Sequence, residues 1–181
     1  MTPERAEYFR LMIIAGLREE YDRELDHTLE TADPIVSPEL ELAMCMSDVR
    51  ETISVLYGYT LDFSVDQQQV YEMVMAELRR QYHEQLLTPT QIIKIAEKIS
   101  HSVEDYWDEP WYKLYHITYD YELAEDGLIS EETFNKSFYK RFFQGETVDY
   151  FALEDNYRKA ISPLSRIVST VKEIFNKQGK E

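Results

Sequence analysis

The tetrapeptide "TPTQ", Thr88 to Gln91, marks the start of a helix. Thr88 offers a hydroxyl to an orphan backbone N–H, and proline at the first helical position loses no hydrogen bond. Gln91 stands three residues on, where its side chain reaches back to the cap. The hydroxyl-proline pair recurs at Thr2-Pro3, Ser37-Pro38 and Ser162-Pro163, and Ser64-x-x-Gln67 repeats the capping-box spacing. The starts share no period, which excludes a repeat array. With strand signals nearly absent, this punctuation defines an all-α protein.

Reading between the signals places helices over about 3–30, 38–57 (with Gly58 as its stop), 65–87 and 89–107. Pro110 opens a fifth that ends near Gly127, and Ser130 caps a sixth that stops near Gly145. A seventh runs from a Thr147 cap to Ile161, and an eighth from Pro163 to Gln178. "YTLDFS", Tyr59 to Ser64, is read as extended or looped. In the last helix Leu164, Ile167, Val168, Val171, Ile174 and Phe175 recur at steps of three and four, one apolar stripe. "LMIIAGL", Leu11 to Leu17, is apolar all round, so it belongs at the centre with neighbours on several sides. Its continuation keeps only Tyr21, Leu25 and Leu29, the narrow stripe of a helix lying across a surface.

The chain of 181 residues suits a single helical domain, residues 1–181, with a sizeable core. Its 44% hydrophobic and 13% aromatic content excludes a disordered polymer, and five glycines and six prolines are too few for a turn-dense β-sandwich. The single cysteine, Cys45 in "LAMCMSD", excludes an internal disulfide framework and reads as a small buried hydrophobe. The longest apolar run is far short of the ~20 residues of a spanning helix, and its acidic flanks do not suit a signal peptide. The expected location is cytoplasmic.

The net charge is −16, with 35 acids against 19 bases, and all of the excess lies in the first 126 residues. Such a surface repels nucleic acid and anionic lipid, whose binding needs clustered Lys and Arg. It attracts basic proteins and cations. The segment Lys136, Lys140, Arg141, interleaved with Phe134, Phe138, Tyr139, Phe142 and Phe143, reads as an amphipathic helix whose cations face the protein's own acids.

The stretch "EDYWDEPWYKLYHITYDYELAED", Glu104 to Asp126, holds both tryptophans, five tyrosines, eight carboxylates and one lysine. On a helix opened by Pro110, Trp111, Leu114, Ile117, Tyr121 and Ala124 form a core-facing side. Tyr112, Tyr119 and Leu123 lie on an adjacent arc with Tyr115 between. Tyrosine suits a half-wet position, and Tyr and Trp are enriched at binding hot spots. Trp111 is therefore expected inside, with some of Tyr112, Tyr115 and Tyr119 exposed beside Asp108 and Glu109.

Three patterns suggest metal chemistry. Glu24-x-x-His27 has the spacing used by di-iron bundles, but the other histidines lack the matching carboxylate. Glu19-x-x-Asp22 followed by Asp48-x-x-Glu51 resembles the paired carboxylates of all-α nucleotide pyrophosphohydrolases, which implies a Mg²⁺ site at those four residues. "YELAEDGLISEETF" aligns Gly127 with the glycine of an EF-hand loop, but Ala124 and Thr133 fall at ligand positions; a helix stop at Gly127 and a new cap at Ser130 account for the same letters. No motif for a catalytic nucleophile or a phosphate loop is present.

The expected protein is all-α, without cofactor, resident metal or conventional active site. Its expected function is that of an acidic protein-binding module that sequesters a basic partner, in the manner of immunity proteins, antitoxins or nucleic-acid mimics. Tyr112, Tyr115, Tyr119, Asp108 and Glu109 are the contact residues. The alternatives are a Mg²⁺-dependent pyrophosphohydrolase built on Glu19, Asp22, Asp48 and Glu51, and a structural subunit of a homo-oligomer with the tyrosine arc as a symmetric interface.

Overall fold

The structure, a computed structural model, describes residues 1–31, 37–45, 47–61 and 63–146, with backbone alone for 37–40. The described residues form eight α-helices and one π turn, with no strand among them, so the fold is all-α. The helices expected over 147–161 and 163–178, with the apolar stripe of the latter, lie outside the described residues. The chain divides into two compact units, Met1–Thr118 and a second that begins at Tyr119.

In the first unit α1 (Pro3–Ala15) is the hub. Thr2 caps it by accepting from Arg5 N–H at 3.2 Å, with Pro3 next in line. Ala6, Tyr8, Phe9, Leu11, Met12, Ile13 and Ala15 are all buried, and α1 packs on α4, α5 and α6, as its all-round apolar character requires. α2 (Glu19–Thr31) buries only Tyr21 and Leu25.

The helix expected over 3–30 is therefore two helices. Gly16 adopts φ 91°, its N–H donates to Ile13 O at 3.0 Å, and Leu17 N–H donates to Met12 O at 2.8 Å. This is a Schellman stop. Glu19, Glu20 and Asp22 then occupy the first turn of α2, where the helix dipole favours carboxylates.

The helix expected over 38–57 is also split, into α3 (Ser37–Met44) and α4 (Val49–Leu61). Asp48 Oδ1 accepts from the N–H groups of Arg50 (2.9 Å) and Glu51 (3.1 Å), a fresh N-terminal cap. Thr52, fully buried, donates to Cys45 O and Asp48 O and locks the break. Gly58 is not the stop: α4 passes through it to Leu61, because Leu56 and Thr60, buried one turn apart, hold that turn in the core. The first half of "YTLDFS" is thus helical. Cys45 is buried, its Sγ donating to Leu42 O at 3.4 Å.

α5 (Gln67–His83) is capped by Asp66, which accepts from Gln69 N–H at 3.1 Å, rather than by Ser64. α6 (Pro89–Ser100) carries the expected Thr88/Gln91 capping box. It stops seven residues before Trp107, because its last carbonyls find side-chain partners. Ser100 Oγ donates to Glu97 O (2.9 Å), Ser102 Oγ donates to Lys98 O (2.7 Å), and His101 Nδ1 lies 2.9 Å from Glu97 O. Residues 101–111 then run as turns into α7 (Tyr112–Glu125), within which the division into units falls.

In the second unit Gly127 (φ 71°) follows α7, and Ser130 caps α8 (Glu131–Tyr139) by accepting from Thr133 N–H at 3.1 Å. The EF-hand letters thus spell a helix stop and a new start. α8 continues as a π turn over Lys140–Gln144 to Gly145. Phe134, Phe138 and Phe142 pack in sequence, the first pair tilted with centroids 6.1 Å apart and the second stacked at 5.2 Å. Buried Asp120 accepts from Ser137 Oγ and from Arg141 Nε at 2.9 Å, while Lys136 pairs with Glu132.

The two glycines give opposite predictions. A Cβ at Gly16 meets no atom within 4 Å, yet its left-handed backbone strains any L side chain, so Gly16→Ala is expected to cost about 1–2 kcal/mol. Gly58 is helical, exposed and equally uncrowded, so Gly58→Ala is expected to stabilise by about 0.5–1 kcal/mol. Urea unfolding of the two variants checks both signs.

Candidate functional site

A groove of about 650 Å³ opens on the first unit, in the range of ligand clefts. Its walls differ in chemistry. One is apolar: Tyr57 and Leu61 from the end of α4, then Phe63 and Val65 from the connection to α5. The other is acidic: Glu104, Asp105, Asp108 and Glu109 from the turns between α6 and α7. α4 ends at Leu61 and α6 at Ser100, so two helix C-termini, each the negative end of a dipole, border the same groove.

Polar groups that satisfy one another also line it. Trp111, 1% exposed, donates its indole N–H to Gln67 Oε1 at 2.9 Å and meets Tyr71 edge-on at 5.6 Å. Burial pushes the Tyr71 phenol up to about 12, with the Glu109 charge adding to that shift against Arg79. From α1, Arg10 forks onto Glu7 with two contacts of 2.6 Å. It also donates to Ser102 O at 3.0 Å and lies over the Tyr57 ring at 5.6 Å. Both side chains are about nine-tenths covered, so this pair ties the central helix to the turn that carries the acidic wall.

The acidic wall is short of cations. Glu109 pairs with Lys113 at 3.0 Å, but among the described residues no Lys, Arg or His pairs with Glu104, Asp105 or Asp108, all exposed. The apolar wall is open too: Leu61 is 63% exposed and Phe63 60%.

The residues expected from sequence divide between this groove and its surroundings. Asp108 and Glu109 line it. Tyr112 and Tyr115 do not; they join a ring cluster in which Tyr115 meets Tyr106 (5.4 Å) and Trp107 (4.8 Å), and Tyr112 meets His116 (4.1 Å). Tyr112 is 37% exposed and Tyr115 half-buried. Tyr119, 36% exposed, opens the second unit. Tyr57, Leu61 and Phe63 escaped the sequence reading. Their signal was a run of large apolar residues beside a short connection.

Two of the four carboxylates of the magnesium pattern have other partners. Asp22 is held by Arg18 through contacts of 2.7–3.1 Å, Asp48 caps α4, and Glu19 and Glu51 sit in the first turns of their helices. Glu24, of the Glu24/His27 pair, accepts from Arg5 Nε at 3.0 Å. Among the described residues no group of three or more His, Cys, Asp or Glu is placed to hold a metal ion.

Trp111→Ala is expected to cost about 3–5 kcal/mol, since it empties a core position, whereas Tyr112→Ala/Tyr119→Ala lowers the melting temperature only slightly. Thermal melts separate the two. Arg10→Met strands the buried Glu7 carboxylate and is expected to cost about 3–5 kcal/mol, with Glu7→Gln/Arg10→Met markedly milder, because the pair and not the packing carries the loss. Urea unfolding of the three proteins measures it.

No protein-family model, curated protein or solved structure matches the chain.

Proposed function

We propose that the protein is an acidic binding module that sequesters a basic protein partner, and that the groove of the first unit is where the partner docks. The observation that carries this reading is the unpaired acidic wall: Glu104, Asp105 and Asp108 lie exposed beside open apolar surface, with no cation of the described residues upon them.

The physics is a division of labour. A net charge of −16 steers a cationic protein toward the chain at long range and raises its association rate. Contact then depends on groups that can be dried, which exposed carboxylates alone do badly, and the aromatic and aliphatic wall supplies them. The same charge disfavours DNA, RNA and anionic membranes. Among the described residues no helix is long and apolar enough to cross a bilayer, which is compatible with a cytoplasmic setting.

The test is capture from source-cell extract at about 50 mM and about 500 mM salt, which spans the loss of long-range attraction. The wild-type chain is compared with Glu104→Gln/Asp105→Asn/Asp108→Asn. The expected outcome is a basic protein retained at low salt, released at high salt and lost with the triple variant. Capture that ignores both salt and the variant, or yields no basic protein, overturns the reading.

A further inference from the structure

We infer that the groove takes an amphipathic cationic segment of its partner: one whose apolar side chains cover Leu61 and Phe63 while its Lys or Arg residues reach Glu104, Asp105 and Asp108. This rests on the binding reading above and narrows it from a basic protein to a kind of peptide segment.

The two walls make the case together. Apolar side chains as open as Leu61 and Phe63, side by side with Tyr57 at 42% exposed, cost hydration that a solvated acidic face does not. A purely charged ligand leaves that wall wet. A purely apolar ligand desolvates carboxylates without replacing their water, which is unfavourable. Only a ligand with both characters, disposed on two sides of one segment, satisfies both walls. The volume of about 650 Å³ suits a short run of side chains rather than the edge of a folded domain.

Charge also decides against other occupants. A second copy of this chain would bring a second acidic rim against the first, and like charges at close range oppose that contact. Phosphate-bearing polymers meet the same repulsion. The groove itself shows how it accommodates a cation: Arg10 reaches a carboxylate and a backbone carbonyl while its guanidinium rests against Tyr57. A partner arginine or lysine finds the same combination in the lining, where carboxylates and exposed aromatic rings border one groove.

Three synthetic peptides of about fifteen residues, the length of a groove-binding helix, test this by fluorescence anisotropy. One is an amphipathic Leu/Lys peptide, one a Ser/Lys peptide of equal charge, and one a Leu/Glu peptide. The Leu/Lys peptide is expected to bind, and Leu61→Ser/Phe63→Ser and Glu104→Gln/Asp105→Asn/Asp108→Asn should each weaken it about tenfold or more, a change of ~1.4 kcal/mol per decade. All five positions are exposed, so unchanged melting curves establish that the variants are folded. Equal binding of Ser/Lys overturns the amphipathic inference and leaves the basic-partner reading standing. Equal binding of Leu/Glu overturns both, and no binding by Leu/Lys overturns the inference alone. A wild-type dimer in sedimentation that Leu61→Ser/Phe63→Ser dissolves would assign the apolar wall to a second copy and overturn it as well.

Discussion

A helix with buried side chains on every side cannot lie on a surface, and α1 makes the first unit necessary. With Phe9, Leu11 and Ala6 fully buried and Tyr8, Met12 and Ile13 nearly so, α1 needs neighbours all round, and α4, α5 and α6 supply them. Such a helix has no place for a lone charge. Glu7 and Arg10 answer that constraint as a forked pair, and the remaining guanidinium reach goes to Ser102 O. The desolvation cost of one glutamate thus fixes the turn after α6 to the core, and the acidic wall of the groove begins two residues further on.

The second unit meets the same problem on a smaller scale. Asp120 and Arg141 are buried together, Ser137 fills another of the carboxylate's hydrogen-bonding positions, and stacked phenylalanines line the same helix. The π turn at Lys140–Gln144 adds a residue to the turn that carries Arg141, an irregularity that regular helix propensity does not anticipate.

Local signals with a stereochemical basis were legible. Thr2-Pro3, Thr88-Pro89 with Gln91, and Ser130 each start a helix as their chemistry requires, and Trp111 is buried while Tyr112 and Tyr119 are more than a third exposed. What misled was weighing each signal alone. Gly16 and Gly58 look alike in sequence, but one adopts a left-handed backbone and ends a helix, while the other is carried through by buried Leu56 and Thr60. Asp48 suits a metal ligand or a cap equally well until the helix break after Met44 selects the cap. Of the groove, the acidic wall was partly legible through Asp108 and Glu109. The apolar wall was not, because joining Tyr57, Leu61 and Phe63 to residues some forty positions on is a tertiary event that no local pattern encodes.

The cations of the described residues are unevenly distributed over the acids. Apart from Lys113 on Glu109 and Arg10 on Glu7, the pairs lie outside the groove lining: Arg5 on Glu20 and Glu24, Arg18 on Asp22, Arg80 on Glu77 and Glu84, Lys136 on Glu132. Most of these pairs are partly exposed and add little stability, about 0–1 kcal/mol each. Their consequence is electrostatic and local: each base cancels only the acid it touches, Glu20, Asp22, Glu24, Glu77, Glu84 or Glu132. Among the described residues no Lys, Arg or His pairs with Glu104, Asp105 or Asp108, which line the same groove as open Leu61 and Phe63. Uncovered apolar surface is unfavourable in water, whereas solvated carboxylates are not. In the proposed reading, a bound, oppositely charged and partly apolar segment covers the one and neutralises the other.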